Sequence, residues 1–216
     1  MFKDKNVSPA VTHLTWSHYL ILLSVKNYDA ICYYIRQVQI RNLSKRQLED
    51  IIKNNEYERL PEDTKNKLTV SEELGITDCV KNPIVIKNSN NYEILSEKLL
   101  HNLILEDIET FMRELGNGFC FIGSEYKIKI GDTYYYIDLL FFNIDFNCYV
   151  VVELKVTEIK KEHYGQIKCY MNYIDDNLKK INQNKTVGII ICKQGNDYVV
   201  KYCSDDRIIA REYVVI

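Results

Sequence analysis

The sequence predicts an α/β protein. A helical region over residues 1–90 is followed, over residues 91–216, by an α/β/α layer sandwich. Three observations carry this. Before residue 90, apolar residues recur at helical spacing. After it, a long amphipathic stretch stops at Gly116 and Gly118 and gives way to three strand-like runs separated by turn residues. Beyond a further helical stretch, the apolar run Gly188-Ile-Ile-Ile-Cys192 reads as a strand buried on both faces.

Residues 14–25 read as a short apolar helix with Thr15 or Ser17 as its cap. Residues 28–40 carry Ile31, Tyr34, Ile35 and Val38 at helical spacing. After a break at Arg41-Asn42-Leu43, Ser44 and Gln47 form a capping-box pair opening a third helix, with Leu48, Ile51 and Ile52 inward. Pro61 ends the pattern. Residues 61–91, with Pro83 and a run of Asn and Ser at 88–91, read as a connector with short helical pieces. Residues 94–115 then form one long helix, with Leu95, Leu99, Leu103, Ile104, Ile108, Phe111 and Leu115 on its inner face. Strands are expected at 119–130, 133–144 and 148–156, joined by hairpin turns at Gly131-Asp132 and Asp145-Phe146-Asn147. A helix at 160–179, the strand at 187–192, and strands at 198–202 and 212–216 complete the order.

A composition that is 46% hydrophobic supports a sizeable core, and a net charge of −2 provides no global field for nucleic acid, so such a partner has to be held by local patches. Seven cysteines without a Cys-x-x-Cys pair read as buried free thiols of a reducing compartment rather than a disulfide or zinc framework. The polar residues 1–10 do not resemble a signal peptide, and no apolar run approaches the ~20 residues of a membrane span. A cytoplasmic protein without membrane contact is expected. His13 and His18, which flank Trp16, are assigned to local packing rather than to a metal.

Chemistry concentrates in Tyr136-Ile-Asp-Leu-Leu-Phe-Phe142 and Tyr149-Val-Val-Val-Glu-Leu-Lys155. Asp138, Glu153 and Lys155 sit in apolar strands, where a charge is costly unless paired or metal-bound. Residues two apart in a strand share a face, so Glu153 and Lys155 point the same way. A hairpin centred between Asp145 and Phe146 sets Asp138 opposite Glu153, with Cβ atoms roughly 5 Å apart. Two carboxylates that close repel, and a divalent cation relieves the repulsion. Oxygen donors with open positions suit Mg²⁺ or Mn²⁺, held by Asp138 and Glu153. Such an ion activates water and neutralises phosphoryl charge. Lys155 is placed to stabilise negative charge developing on phosphorus oxygens.

These residues carry a family resemblance. Glu114-Leu-Gly-Asn-Gly-Phe119, the two strands just quoted, Gly165-Gln166 and Gly188-Ile-Ile-Ile-Cys-Lys193 occur in the order and with gaps similar to the nuclease domain of YhcG-like PD-(D/E)XK proteins. The resemblance covers most of residues 92–216. It implies a restriction-endonuclease-like fold with a central mixed sheet, and Mg²⁺-dependent cleavage of nucleic acid, DNA in particular. It implies metal ligation by Asp138 and Glu153, a catalytic Lys155, and a further active-site residue, Gln166, on the following helix. The family's first nuclease helix usually carries a glutamate supporting the metal. Counting back from Phe111, His101 takes that place here, with Glu97 one turn earlier and Glu106 one turn later. Ser124 stands where the resemblance predicts a basic residue.

Leu14-Thr-Trp-Ser-His-Tyr19 and Asn42-Leu-Ser-Lys-Arg-Gln-Leu48 resemble segments of the same family's N-terminal helical domain, which usually begins further upstream, so a shortened version is expected. The second segment also reads as helix-turn-helix-like, with Arg36, Arg41, Lys45, Arg46 and Lys53 as candidate phosphate contacts. Two other functions fit the whole chain: a non-catalytic nucleic-acid-binding protein that keeps the fold while the altered first nuclease helix weakens metal binding, and an assembly subunit whose helical half mediates dimerisation, for example of a homodimer, or a partner contact.

Overall fold

The computed structural model describes residues 14–70, 72–88, 92–93, 96–203 and 205–216. The expectations placed on His13, Ile94, Leu95 and residues 89–91 lie outside these. The chain divides into two compact units, residues 1–73 and 74–216.

In the first unit, α1 (Trp16–Leu22), α2 (Tyr28–Arg41), α3 (Lys45–Lys53) and α4 (Glu62–Thr69) surround a core of Leu22, Ala30, Tyr34, Val38, Leu43, Leu48, Ile51, Tyr57 and Leu60. The expected caps form. Thr15 is the N-cap of α1, and its N–H donates to Nδ1 of the buried His18, 3.1 Å away. At α3 the Ser44 N–H donates to Gln47 Oε1 at 2.8 Å, and the Gln47 N–H to Ser44 Oγ at 3.4 Å. Asn42, in the left-handed region at φ 49°, turns the chain between α2 and α3.

The second unit begins earlier than the change of pattern near residue 90 suggested. After α5 (Ile76–Cys79), the three residues of β1 (Ile84–Ile86) join the sheet at its edge. The expected single helix over 94–115 is two, α6 (Glu97–Glu106) and α7 (Ile108–Leu115). Asp107 interrupts the helical backbone, and its carboxylate accepts from the Thr110 N–H as the cap of α7. Then come β2 (Phe119–Ile130), β3 (Thr133–Asn143), β4 (Cys148–Glu158), α8 (Lys161–Asn177), β5 (Val187–Gln194), α9 (Asp197–Cys203) and β6 (Ile208–Val215). Residues 198–202, expected as a strand, are helical. The Asn196 side chain accepts from the N–H groups of Tyr198 and Val199 and starts a turn, leaving Tyr198 and Tyr202 exposed.

The sheet order is β1-β6-β5-β4-β3-β2, antiparallel through β2, β3 and β4 and parallel from β4 to β1. One face packs on α6 and α7 through Leu103, Phe111, Leu139, Phe141, Val152 and Leu154; the other packs on α8 through Ile137, Leu140, Val151, Ile167, Met171 and Ile190. Gly188 permits the second contact. A Cβ there would stand 2.7 Å from Met171 Sδ and 2.9 Å from Ile167 Cδ1. All seven cysteines are free, as expected, but only Cys148 and Cys192 are buried; Cys32, Cys120 and Cys169 are exposed. Among the described residues, no helix is long and apolar enough to cross a membrane.

Candidate active site

The β3–β4 hairpin sets the site. Asn143 Oδ1 accepts from the N–H groups of Asp145 and Phe146, closing the turn, and Asn147 takes φ 47°. From that turn the partners run Asn143 with Cys148 up to Leu139 with Val152. The next step sets Asp138 against Glu153, the register expected from a hairpin centred between Asp145 and Phe146. At this point the ladder between the two strands ends. The alternation of faces is interrupted as well: Ile137 and Leu140 lie in the core under α8, whereas Leu139 lies in the core under α6.

Here the structure brings Asp138, Glu153 and Lys155 together. Asp138 is half-buried, and its Oδ2 accepts from the Leu154 N–H at 2.7 Å. Glu153 is 1% exposed. Its Oε2 lies 3.4 Å from Lys155 Nζ, while its Oε1 is buried without a hydrogen-bond partner. Lys155 Nζ also lies 3.5 Å from Glu97 Oε2.

The electrostatics follow from burial. Desolvation, and then the neighbouring Asp138, push the Glu153 carboxyl up to about 8. Desolvation also raises Asp138, with the Leu154 N–H and Lys155 opposing. Burial works against the Lys155 charge, but Glu153, Asp138 and Glu97 outweigh it and hold the ammonium above its usual value. The site thus has a fixed cation and two carboxyls whose charge is under-compensated.

α6 brings two of the three first-helix candidates to the site. Glu97, in its first turn, reaches Lys155, while His101 Nε2 lies 3.1 Å from the backbone oxygen of Asp138. Glu106 is exposed and has no part in the cluster. Ser124 pairs with Leu139 on β2, beside the site, and contributes no charge.

Gln166 is on α8, where its Nε2 donates to the Tyr170 hydroxyl at 3.1 Å; among the described residues it makes no bond to Asp138, Glu153 or Lys155. Tyr170, buried and raised first by desolvation, also feels the charges of Glu153, Asp138 and Lys155. His163, one turn before Gln166, is lowered by burial and then by Lys155; its Nδ1 accepts from the Lys160 N–H at 3.1 Å. Neither Tyr170 nor His163 was singled out from the sequence. Their spacing with Gln166, three and four residues on one helix face, was the available signal.

In the first unit, Arg36 and Arg46 are exposed, and Lys45 is exposed with a 3.5 Å pair to Glu49. Arg41, also a candidate phosphate contact, is engaged within the first unit. Its guanidinium is held 2.9 Å from the buried Glu56, which also accepts from the Tyr33 hydroxyl at 2.8 Å.

The model of the YhcG PDDEXK nuclease domain matches residues 77–215. The chain belongs to this family. The DUF1016 N-terminal domain matches residues 1–59. The YhcG protein of Escherichia coli (strain K12) is 30% identical over 184 residues, which are 82% of this chain and 49% of that protein, so the chain spans about half the length of this relative. Among solved structures, a repair endonuclease from Pyrococcus abyssi matches with a TM-score of 0.38 and 22% identity over 59% of this chain and 49% of its own. A complex of EndoMS with dsDNA gives 0.38 and 20% over 60% and 49%.

Divalent metal is typical of PDDEXK nucleases, and the donor set of this family member suits it. Glu153 Oε1 is a buried oxygen with no partner, beside a second carboxylate whose other oxygen is held in place by a backbone N–H. Among the described residues no group of three or more His, Cys, Asp or Glu side chains converges. This is compatible with Mg²⁺, which takes one or two carboxylates and completes its shell with water and substrate phosphate.

Proposed function

We propose that this chain is a metal-dependent nuclease that hydrolyses phosphodiester bonds of nucleic acid, DNA foremost. The observation carrying this reading is the buried, unpartnered Glu153 Oε1, set beside Asp138 and 3.4 Å on its other oxygen from Lys155. A fold needs no such atom. It costs stability as it stands and becomes useful when a cation binds.

Asp138 and Glu153 would hold Mg²⁺ or Mn²⁺, which when bound supplies an activated water and neutralises phosphoryl charge. The Leu154 N–H fixes the Asp138 carboxylate, so it need not reorganise. Lys155, kept charged by three carboxylates, meets the non-bridging oxygens as negative charge builds on them. Glu97 orients Lys155, and His101 fixes the Asp138 backbone. Gln166 and Tyr170 form a polar wall on the α8 side. Arg36, Lys45 and Arg46, exposed about the α2–α3 turn, contribute phosphate contacts from the first unit.

The test is cleavage of labelled single-stranded, duplex and branched DNA, and of RNA, with Mg²⁺ or Mn²⁺. The native chain is compared with Asp138→Ala and Lys155→Ala. Cleavage lost in both variants supports the reading. Absence of cleavage on every substrate, or cleavage that survives in both variants, overturns it.

A further inference from the structure

β3 pairs with β4 only from Leu139 onward, but with β2 it pairs back to Thr133. Residues 124–130 and 133–137 therefore continue as a two-stranded arm from the point where Asp138 and Glu153 meet. Gly131, at φ 60°, turns its tip. At 3.3 Å per residue the arm is about 15 Å long.

Its two faces differ sharply. One is clamped onto α8: Ile128 and Ile137 are at most 1% exposed, Tyr126 and Ile130 pack beside them, and the Tyr135 ring lies 6.3 Å from that of Tyr170. The other carries Lys127 opposite Tyr136 and Lys129 opposite Tyr134, and all four are exposed. Both tyrosines keep 53% of their surface in solvent. Lys127 Nζ stands 3.8 Å from the Tyr134 ring centroid and Lys129 Nζ 5.8 Å. The nearest counter-charge, the fully exposed Asp132, is 3.9 Å from Lys129, a pair worth little in water. Phe111, from α7, packs on Phe141 near the opposite end of β3, so the helices on this side of the sheet leave the arm uncovered.

We propose that this face binds a single-stranded stretch of the nucleic-acid substrate, so that the chain cuts beside an unpaired segment; this rests on the nuclease reading of the adjoining site. The rings of Tyr134 and Tyr136 take one base each, and the ammoniums of Lys127 and Lys129 meet the intervening phosphates. Residues two apart in a strand are about 7 Å apart, twice the 3.4 Å rise of stacked bases. Bases seated on both rings are therefore unstacked from each other, as in an extended single strand. A duplex keeps its base faces inside the stack and would use only the ammoniums. The strand continues from Tyr136 to Asp138, so a chain laid along the arm leads to the carboxylates.

The experiment measures binding of fluorescent oligo(dT) and of a matched duplex to the full chain in EDTA, by anisotropy across a salt series. Cleavage of a flapped duplex in Mg²⁺ runs in parallel. The native chain should prefer the single strand. The double variant Tyr134→Ala/Tyr136→Ala should bind oligo(dT) at least about tenfold more weakly at an unchanged melting temperature, and Tyr134→Phe/Tyr136→Phe should restore binding. Lys127→Ala/Lys129→Ala should reduce the slope of log K against log salt by about 1.4. Equal native affinity for strand and duplex, or undiminished binding by the alanine pair, overturns the proposal. Strand binding that depends on the tyrosines, without cleavage of any substrate, leaves the strand site standing and removes the nuclease reading instead.

Discussion

The Lys155 ammonium lies 3.5 Å from the Glu97 carboxylate, tying β4 to the first turn of α6. The two residues are 58 apart in sequence. Glu97 therefore acts on the site through Lys155. Replacing Glu97 by Gln should lower the cleavage rate about tenfold to a hundredfold, the usual cost of losing an outer-shell partner. Glu106→Gln, one turn beyond His101 and exposed, should cleave as the native chain does. Single-turnover rates of the two variants make the comparison.

Glu153 binds its proton far more tightly in the folded protein, at about 8, than the usual carboxylate at 4.5. Its contribution to folding in the metal-free protein is complete below the lower value and is lost as pH rises through the upper one. The melting temperature in EDTA should therefore fall between about pH 5 and pH 9. Glu153→Gln should flatten that decline and, at about pH 8, should stabilise the metal-free fold by roughly 1–3 kcal/mol by removing a buried carboxylate charge that Lys155 offsets only in part. Mg²⁺ should raise the melting temperature of the native chain and not that of this variant. Its affinity should climb across the same pH window, because binding displaces the proton. Scanning calorimetry with and without the ion checks each point.

Arg41 and its neighbours on the α2–α3 segment should separate cleanly. Arg41→Ala removes the cation beside buried Glu56 and should destabilise the first unit by about 3 kcal/mol. It should leave the salt dependence of DNA binding unaltered. Arg36→Ala and Arg46→Ala should cost little stability and should each reduce the salt slope by about 0.9 on duplex DNA. Urea melts and filter-binding titrations distinguish the two classes.

Gly188 tests how tightly α8 rests on the sheet. With Met171 Sδ at 2.7 Å and Ile167 Cδ1 at 2.9 Å from an added Cβ, Gly188→Ala should cost about 1–3 kcal/mol. Because α8 also carries Gln166 and Tyr170, the same change should reduce cleavage at temperatures well below the melting point.

Much of the site could be read directly because its geometry is local. A four-residue turn over 144–147 and a period of two suffice to set Asp138 against Glu153 and to put Lys155 on the same face. Capping chemistry was equally legible at Ser44 and Gln47. Features decided at a distance were not. β1 is three residues long and owes its existence to pairing with Tyr213, Val214 and Val215, so residues 74–88 looked like a connector. Arg41 resembles its basic neighbours until the fold brings Glu56 to it. Residues 198–202 have strand propensity in Tyr-Val-Val, but the Asn196 cap decides for helix. The break at Asp107 was hidden because an acidic residue suits both the interior of an amphipathic helix and the cap of the next.

β6 follows every other strand in sequence, yet it lies inside the sheet, between β5 and β1. Arg211 on this strand donates to the Val80 carbonyl across 131 residues. During synthesis on the ribosome, β1 and β5 must therefore wait with exposed edges until residues 208–215 emerge, an interval in which they are open to mispairing. The hairpin bearing Asp138, Glu153 and Lys155 is local and can form well before that. A nascent chain thus holds its charged cluster before it has the sheet that shelters it.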